Sequence, residues 1–134
     1  MRYSKEQQIG KRFKPKQKER NRIKAKDYNK AVEVWGNTCF CGSTQNLQMH
    51  HLKFRSSGIG RGGFTNSILL CEFHHRKAHS DYDFRKNLEI QRRRVCGEHF
   101  YKDEFDLWEE GLIEEPTRTH WDDFMRREIS AKGR

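Results

Sequence analysis

The chain has no apolar run near the ~20 residues that span a bilayer, and its N-terminus lacks the apolar core of a signal peptide. These absences predict a cytoplasmic protein with no membrane partner. In that reducing setting, four cysteines are expected to bind metal rather than form disulfides. Hydrophobic residues are few, 33% against 35% charged, so the core of this 134-residue chain must be small. The length suits one compact domain. Small cores often need a staple, which four cysteines and seven histidines can supply as a metal site. There is no internal repeat, and no segment reads as a recognition helix.

Charge is unevenly placed. Residues 1–30 hold 12 Lys/Arg against 3 Asp/Glu, which equals the whole net charge of +9; the rest of the chain balances. A basic arm on a neutral body points to a polyanion, with Lys16, Arg20 and Lys24 as contacts. The plainer alternative is a solubilising tail. Residues 1–14 lack periodicity and are expected to be mobile in the free protein. Residues 98–123 carry ten acids against two Lys/Arg, so that surface is expected to face away from nucleic acid.

From about Lys16 the pattern predicts a helix with Ile23, Tyr28, Ala31, Val32 and Trp35 as its apolar stripe, stopping at Gly36-Asn37. Leu47, Met49 and Leu52 alternate with polar residues as in a strand. Lys53 to Asn66 is glycine-rich and carries Arg55 and Arg61. It reads as a flexible loop suited to a phosphate backbone, or as a disordered connection. Ser67–Leu70 reads as a second strand and Cys71–His79 as a helix. Ser80 and Asp83 form a capping-box pattern opening another helix that buries Phe84, Leu88 and Val95. Arg92-Arg93-Arg94 lies near its end, where cations suit the helix dipole, and Cys96-Gly97 closes it. Two further helices are predicted, one around Phe105, Leu107, Trp108 and Leu112. The other starts near Thr119, with Trp121, Phe124, Met125 and Ile129 in the core.

Five of the seven histidines, His50, His51, His74, His75 and His79, gather in this strand–loop–strand–helix stretch. Imidazole both binds transition metals and carries protons near neutral pH. His75 and His79, four apart, share a helix face, and on a strand His50 and His51 point to opposite faces. His50, His75 and His79 can therefore hold one ion while His51 does a different job. Cys39, Cys41, Cys71 and His74 form a second set, four soft ligands suited to a closed structural zinc site. Cys96 or His99 is an alternative for one of them, and four ordinary reduced cysteines the plainer reading.

Met49-His50-His51-Leu52, the run from Asn66 through Cys71, His74 and His75, and then His79 together resemble the HNH endonucleases, whose fold is the ββα-metal or His-Me finger. Many phage and bacterial members carry cysteine pairs on both sides of this unit, as here. The His-His…Asn…His-x3-His arrangement looks most like the DNase domains of colicins, whose metal is held by three histidines. The resemblance covers roughly residues 37–82. It departs in the short Cys39-x-Cys41 gap and in His74, where a cysteine is commoner.

It implies an α+β fold, with a ββα-metal core over 37–82 and a structural zinc; outside that stretch the sequence pattern itself predicts a basic arm and helix over 1–36 and a helical extension over 83–134 packed on the core. The resemblance also implies metal-dependent hydrolysis of DNA to 5′-phosphate and 3′-hydroxyl ends, in a phage or mobile-element setting, by nicking or with low specificity. The general base would be His51, oriented by the side-chain or main-chain carbonyl of Asn66. One divalent ion (Mg, Mn, Ni, Co or Zn) would sit on His50, His75 and His79, with Arg55, Arg61 and Arg76 contacting phosphate. The alternatives are a non-catalytic zinc-finger binder of nucleic acid, or the nuclease subunit of a larger assembly. In the latter the C-terminal helices would dock a second copy or a protein partner.

Overall fold

The computed structural model describes residues 14–54 and 58–132. Arg55 and nearly all of the segment expected to be mobile lie outside the described residues. The fold is α+β. Two short helices, α1 (Gln17–Asn21) and α2 (Ala25–Trp35), precede strand β1 (Gln48–His51). A loop ending in a 3-10 turn (Phe64–Asn66) leads to β2 (Ser67–Leu70). Four helices follow: α3 (Glu72–Ser80), α4 (Tyr82–Cys96), α5 (Glu104–Glu109) and α6 (Arg118–Lys132). No helix among the described residues is long and apolar enough to cross a membrane.

The two strands pair antiparallel, with His50 opposite Ile68 and His51 opposite Ser67. Side chains alternate across a strand, and so His50 turns toward α3 while His51 turns toward the end of α1. One apolar cluster gathers Leu52, Leu70, Ala78, Leu88, Cys96 and Phe100 behind the hairpin. A second gathers Ala31, Phe64, Leu107, Trp121 and Met125. Trp35 and Ile129 pack against both, making the core continuous.

Several expectations are corrected. The helix predicted from Lys16 is two helices broken at Arg22–Lys24, and Tyr28 is exposed while Asp27 is buried. Asp27 is inside because its carboxylate accepts the Phe64 N–H (3.1 Å), an orphan donor at the 3-10 turn, and pairs with Arg118. The cap of α4 is Asp81, accepting from Phe84 N at 3.1 Å, not Ser80, whose hydroxyl donates back to the Arg76 carbonyl. Leu88 is buried as expected, but Val95 is exposed, and α4 buries Glu89, Arg92 and Cys96 as well. Arg93 and Arg94 lie in the last turn of α4 as expected, whereas Arg92 turns inward. It donates to the carbonyls of Thr65 and Ser67, both at 2.8 Å, with its guanidinium 4.0 Å over the Trp35 ring.

Residues 58–66 of the loop after β1 are not loosely placed. A Cβ on Gly60 would sit 1.9 Å from the Lys53 carbonyl oxygen, and one on Gly62 would sit 2.0 Å from that of Arg22. Only glycine allows these backbones to touch. The glycines thus bring the loop against the protein's own backbone, and Gly62 N–H donates to the Arg20 carbonyl at 3.1 Å. The acidic C-terminal region completes the docking. Arg20 binds Asp103 at 2.6 and 2.8 Å and Asp106 at 3.0 Å, and Lys14 reaches Glu109 at 2.8 Å. Asp103 and Asp106 also cap α5 reciprocally, so the cap and the arginine clamp are one structure.

Candidate metal centres

Cys39 and Cys41 sit on a tight turn closed by Gly42 N–H to the Cys39 carbonyl at 2.8 Å. Cys71 stands at the N-cap of α3, and His74 is three residues into its first turn. The four ligand atoms lie within 4.8 Å of one another. Cys39 Sγ is 3.5 Å and Cys71 Sγ 3.3 Å from His74 Nδ1, and Cys41 and Cys71 sulfurs are 3.9 Å apart. The backbone N–H of His74 draws the Cys71 thiol down to about 7, while burial pushes the Cys39 thiol up. A group of this composition can hold a metal ion in a closed site. Cys96 is not part of it: that thiol is buried elsewhere, and burial pushes it up to about 11. His99 meets Lys102 Nζ at 2.9 Å and packs on Phe124 instead.

The second group is His50, His75 and His79, whose ligand atoms also lie within 4.8 Å of one another. His50 projects from β1 with its ring centroid 5.4 Å from that of His75 and 5.3 Å from that of His79. The Nε2 atoms of His75 and His79 are 3.4 Å apart, one helical turn bringing them side by side. His50 Nε2 is a buried polar atom with no hydrogen-bond partner. Leaving such an atom unsatisfied costs about 1–3 kcal/mol. An ion shared with His75 and His79 would satisfy it. Burial, followed by the neighbouring imidazoles of His75 and His79, pushes His50 down to about 3. Burial and then His79 lower His75. Neutral rings keep their lone pairs for an ion, so the donor set fits one. The cleft in front measures about 540 Å³ and is walled by Arg22, Ile23, Met49 and Phe54 as well as the histidines. Phe54 stacks on His79 at 4.9 Å, and Arg85 lies 4.8 Å over Phe54.

His51 lines the same cleft from the opposite side of β1, with Nε2 2.7 Å from the main-chain carbonyl of Asn21. Asn66 stands immediately before β2 as expected, but with other partners than His51. It is wholly buried in the turn before β2. Its Oδ1 accepts Lys53 N–H at 2.8 Å, and its Nδ2 donates to the carbonyls of Lys53 (3.1 Å) and Arg61 (2.9 Å). Its main-chain carbonyl accepts Leu52 N–H. Asn66 thus pins both ends of the loop, and Asn21 supplies the carbonyl facing His51 Nε2.

The residues expected to contact phosphate divide in two. Arg61 is buried, with Nε and Nη2 on Asp106 and Nη1 on Asn21 Oδ1, and Arg20 is clamped by Asp103 and Asp106. Neither is presented to a ligand. Lys16, Lys24 and Arg76 are exposed; Arg76 pairs with Glu72 at 2.7 Å and Lys24 lies 3.4 Å from Glu19. Asn21, Asp27 and Asp106 matter to the site and were not singled out from the sequence, where they carry no periodic or motif signal. Compared with family models, curated proteins and solved structures, the chain has no match.

Proposed function

We propose that the chain is a metal-dependent endonuclease of the HNH type acting on DNA, with residues 37–82 as its ββα-metal unit. The observation that carries this reading is the buried, unpartnered Nε2 of His50 facing two further imidazoles, with His51 on the other face of the same strand. Phosphodiester hydrolysis needs charge relief at the phosphate and a base for the water. These two needs match the two faces of β1. His50, His75 and His79 would hold a divalent ion, which would supply the Lewis acidity that phosphodiester hydrolysis needs. His51 takes the proton of the attacking water. Three imidazole donors favour borderline ions, so Zn, Ni, Co and Mn compete with Mg. Cys39, Cys41, Cys71 and His74 hold zinc as a staple between the turn before β1 and the start of α3.

With Arg20 and Arg61 inside the fold, phosphate contacts fall to Arg22 and Arg85 at the cleft and to Lys16, Lys24 and Arg76 on the surface. These are backbone contacts, which position a duplex without reading it, so the enzyme has low specificity. A cytoplasmic, phage or mobile-element setting suits such an activity.

The test is nicking of supercoiled plasmid by EDTA-stripped protein with Mg, Mn, Ni, Co or Zn added back singly. Metal-dependent nicking is expected, falling at least about 100-fold in His51→Ala. No cleavage with any ion, alongside retained DNA binding, would instead make the chain a non-catalytic nucleic-acid binder.

A further inference from the structure

We infer that Arg61 is a positioning residue for His51, acting through Asn21. Its consequence for catalysis rests on the nuclease reading above; the geometry does not. A carbonyl has no proton to give, so the 2.7 Å contact between His51 Nε2 and the Asn21 carbonyl requires the proton on Nε2. In the neutral ring the lone pair then resides on Nδ1, which on the nuclease reading would be the nitrogen that takes the proton of water. The orientation and tautomer of His51 therefore depend on where residue 21 is held.

Residue 21 is held from the loop. Asn21 is the last residue of α1, a helix of five residues with no side-chain cap, too short to persist alone. Its buried Oδ1 accepts Arg61 Nη1 at 2.8 Å. Arg61 is fixed on its other edge by Asp106, at 2.8 and 2.9 Å, and at its main-chain carbonyl by Asn66 Nδ2 at 2.9 Å. Nη1 also lies 3.3 Å from the Gly58 carbonyl. A buried guanidinium with five donors in a rigid fork joins these groups at fixed angles, which a lysine ammonium cannot do. The path runs from Asp106 and Asn66 through Arg61 and Asn21 to the ring of His51.

Two readouts separate this role from mere stability. The first is the His51 tautomer in the full-length, zinc-loaded chain, read by two-bond imidazole nitrogen NMR. The second is the division of any activity loss between kcat and KM for plasmid. The wild type is expected to show the Nε2–H tautomer, with mixed tautomers in Arg61→Lys and Asn21→Ala. Both variants should lose kcat by about 10- to 100-fold with KM and metal content unchanged. Asn21→Asp, which offers Arg61 a carboxylate, should restore most of that loss. An Nδ1–H tautomer in the wild type, or unchanged kcat in a folded Asn21→Ala, would overturn the inference. If Arg61→Lys does not fold, Asn21→Ala carries the test, because it leaves the Arg61–Asp106 pair in place. If the wild type cleaves no DNA with any ion, the nuclease reading fails, and the tautomers alone decide the positioning claim.

Discussion

Asp106 grips Arg61 with two hydrogen bonds, Nε to Oδ2 at 2.8 Å and Nη2 to Oδ1 at 2.9 Å, across 45 positions of sequence. Burial alone would raise the Asp106 carboxyl, but the hydrogen bond from Arg61, the Asp103 backbone and the charges of Arg61 and Arg20 bring it down to about 2. A carboxyl lowered in the folded state stabilises fully above its ordinary value of 3.8 and loses that contribution as pH falls through about 2. At pH 7 it is therefore present in full. Asp106→Asn should cost roughly 2 kcal/mol in urea unfolding at pH 7. Unchanged stability would contradict the clamp.

Gly62→Ala tests the close approach of loop and arm. Its Cβ would lie 2.0 Å from the Arg22 carbonyl oxygen and 2.9 Å from Ile23 N, so the 20–23 segment must move. A loss of roughly 2–3 kcal/mol is expected, with reduced nicking because Asn21 moves too. Wild-type stability and activity together would show that the segment is not docked as described.

Removing residues 1–30 should do more than weaken DNA binding. The deletion takes away Arg20, Asn21 and Asp27, and with them the partners of Asp103, Arg61 and Phe64 N–H. The melting temperature should drop by at least about 8 °C, the equivalent of roughly 2 kcal/mol for a domain of this size. A stable truncated protein that lost only the salt dependence of DNA binding would restore the picture of a free basic tail.

The two metal groups should separate by mutation. His75→Ala should remove one ion and all cleavage while the protein stays folded and keeps the other ion. Cys71→Ala should unfold it, since a structural zinc contributes free energy comparable to the ~5–15 kcal/mol stability of a whole domain. Elemental analysis and circular dichroism on both variants check this. A folded Cys71→Ala would argue against a structural role for that group.

What was legible in the sequence was local. His75 and His79 meet because four residues make one turn of α3, and His50 and His51 diverge because strand side chains alternate. The stops at Gly36 and Gly97 were readable for the same reason. What escaped was tertiary. Arg20 and Arg61 look like any exposed cation until Asp103 and Asp106 fold back on them from 83 and 45 positions away. Gly60 and Gly62 look like flexibility until the backbones they admit are in place. Ser80 and Asp81 are both competent caps, and nothing local decides between them. Arg92 and Val95 exchanged their expected places because the carbonyls of Thr65 and Ser67 needed a donor inside.

The most direct measurement of the central claim is a joint titration of metal and activity. The full-length protein is stripped with a mild chelator until only its tighter ion remains, and Mn or Ni is then added back while nicking is followed. No nicking is expected at one ion per chain, and full activity on binding one further equivalent. That second equivalent should be lost in His75→Ala. Cleavage that persists after stripping, or a chain that binds a single ion however much is added, would contradict that claim.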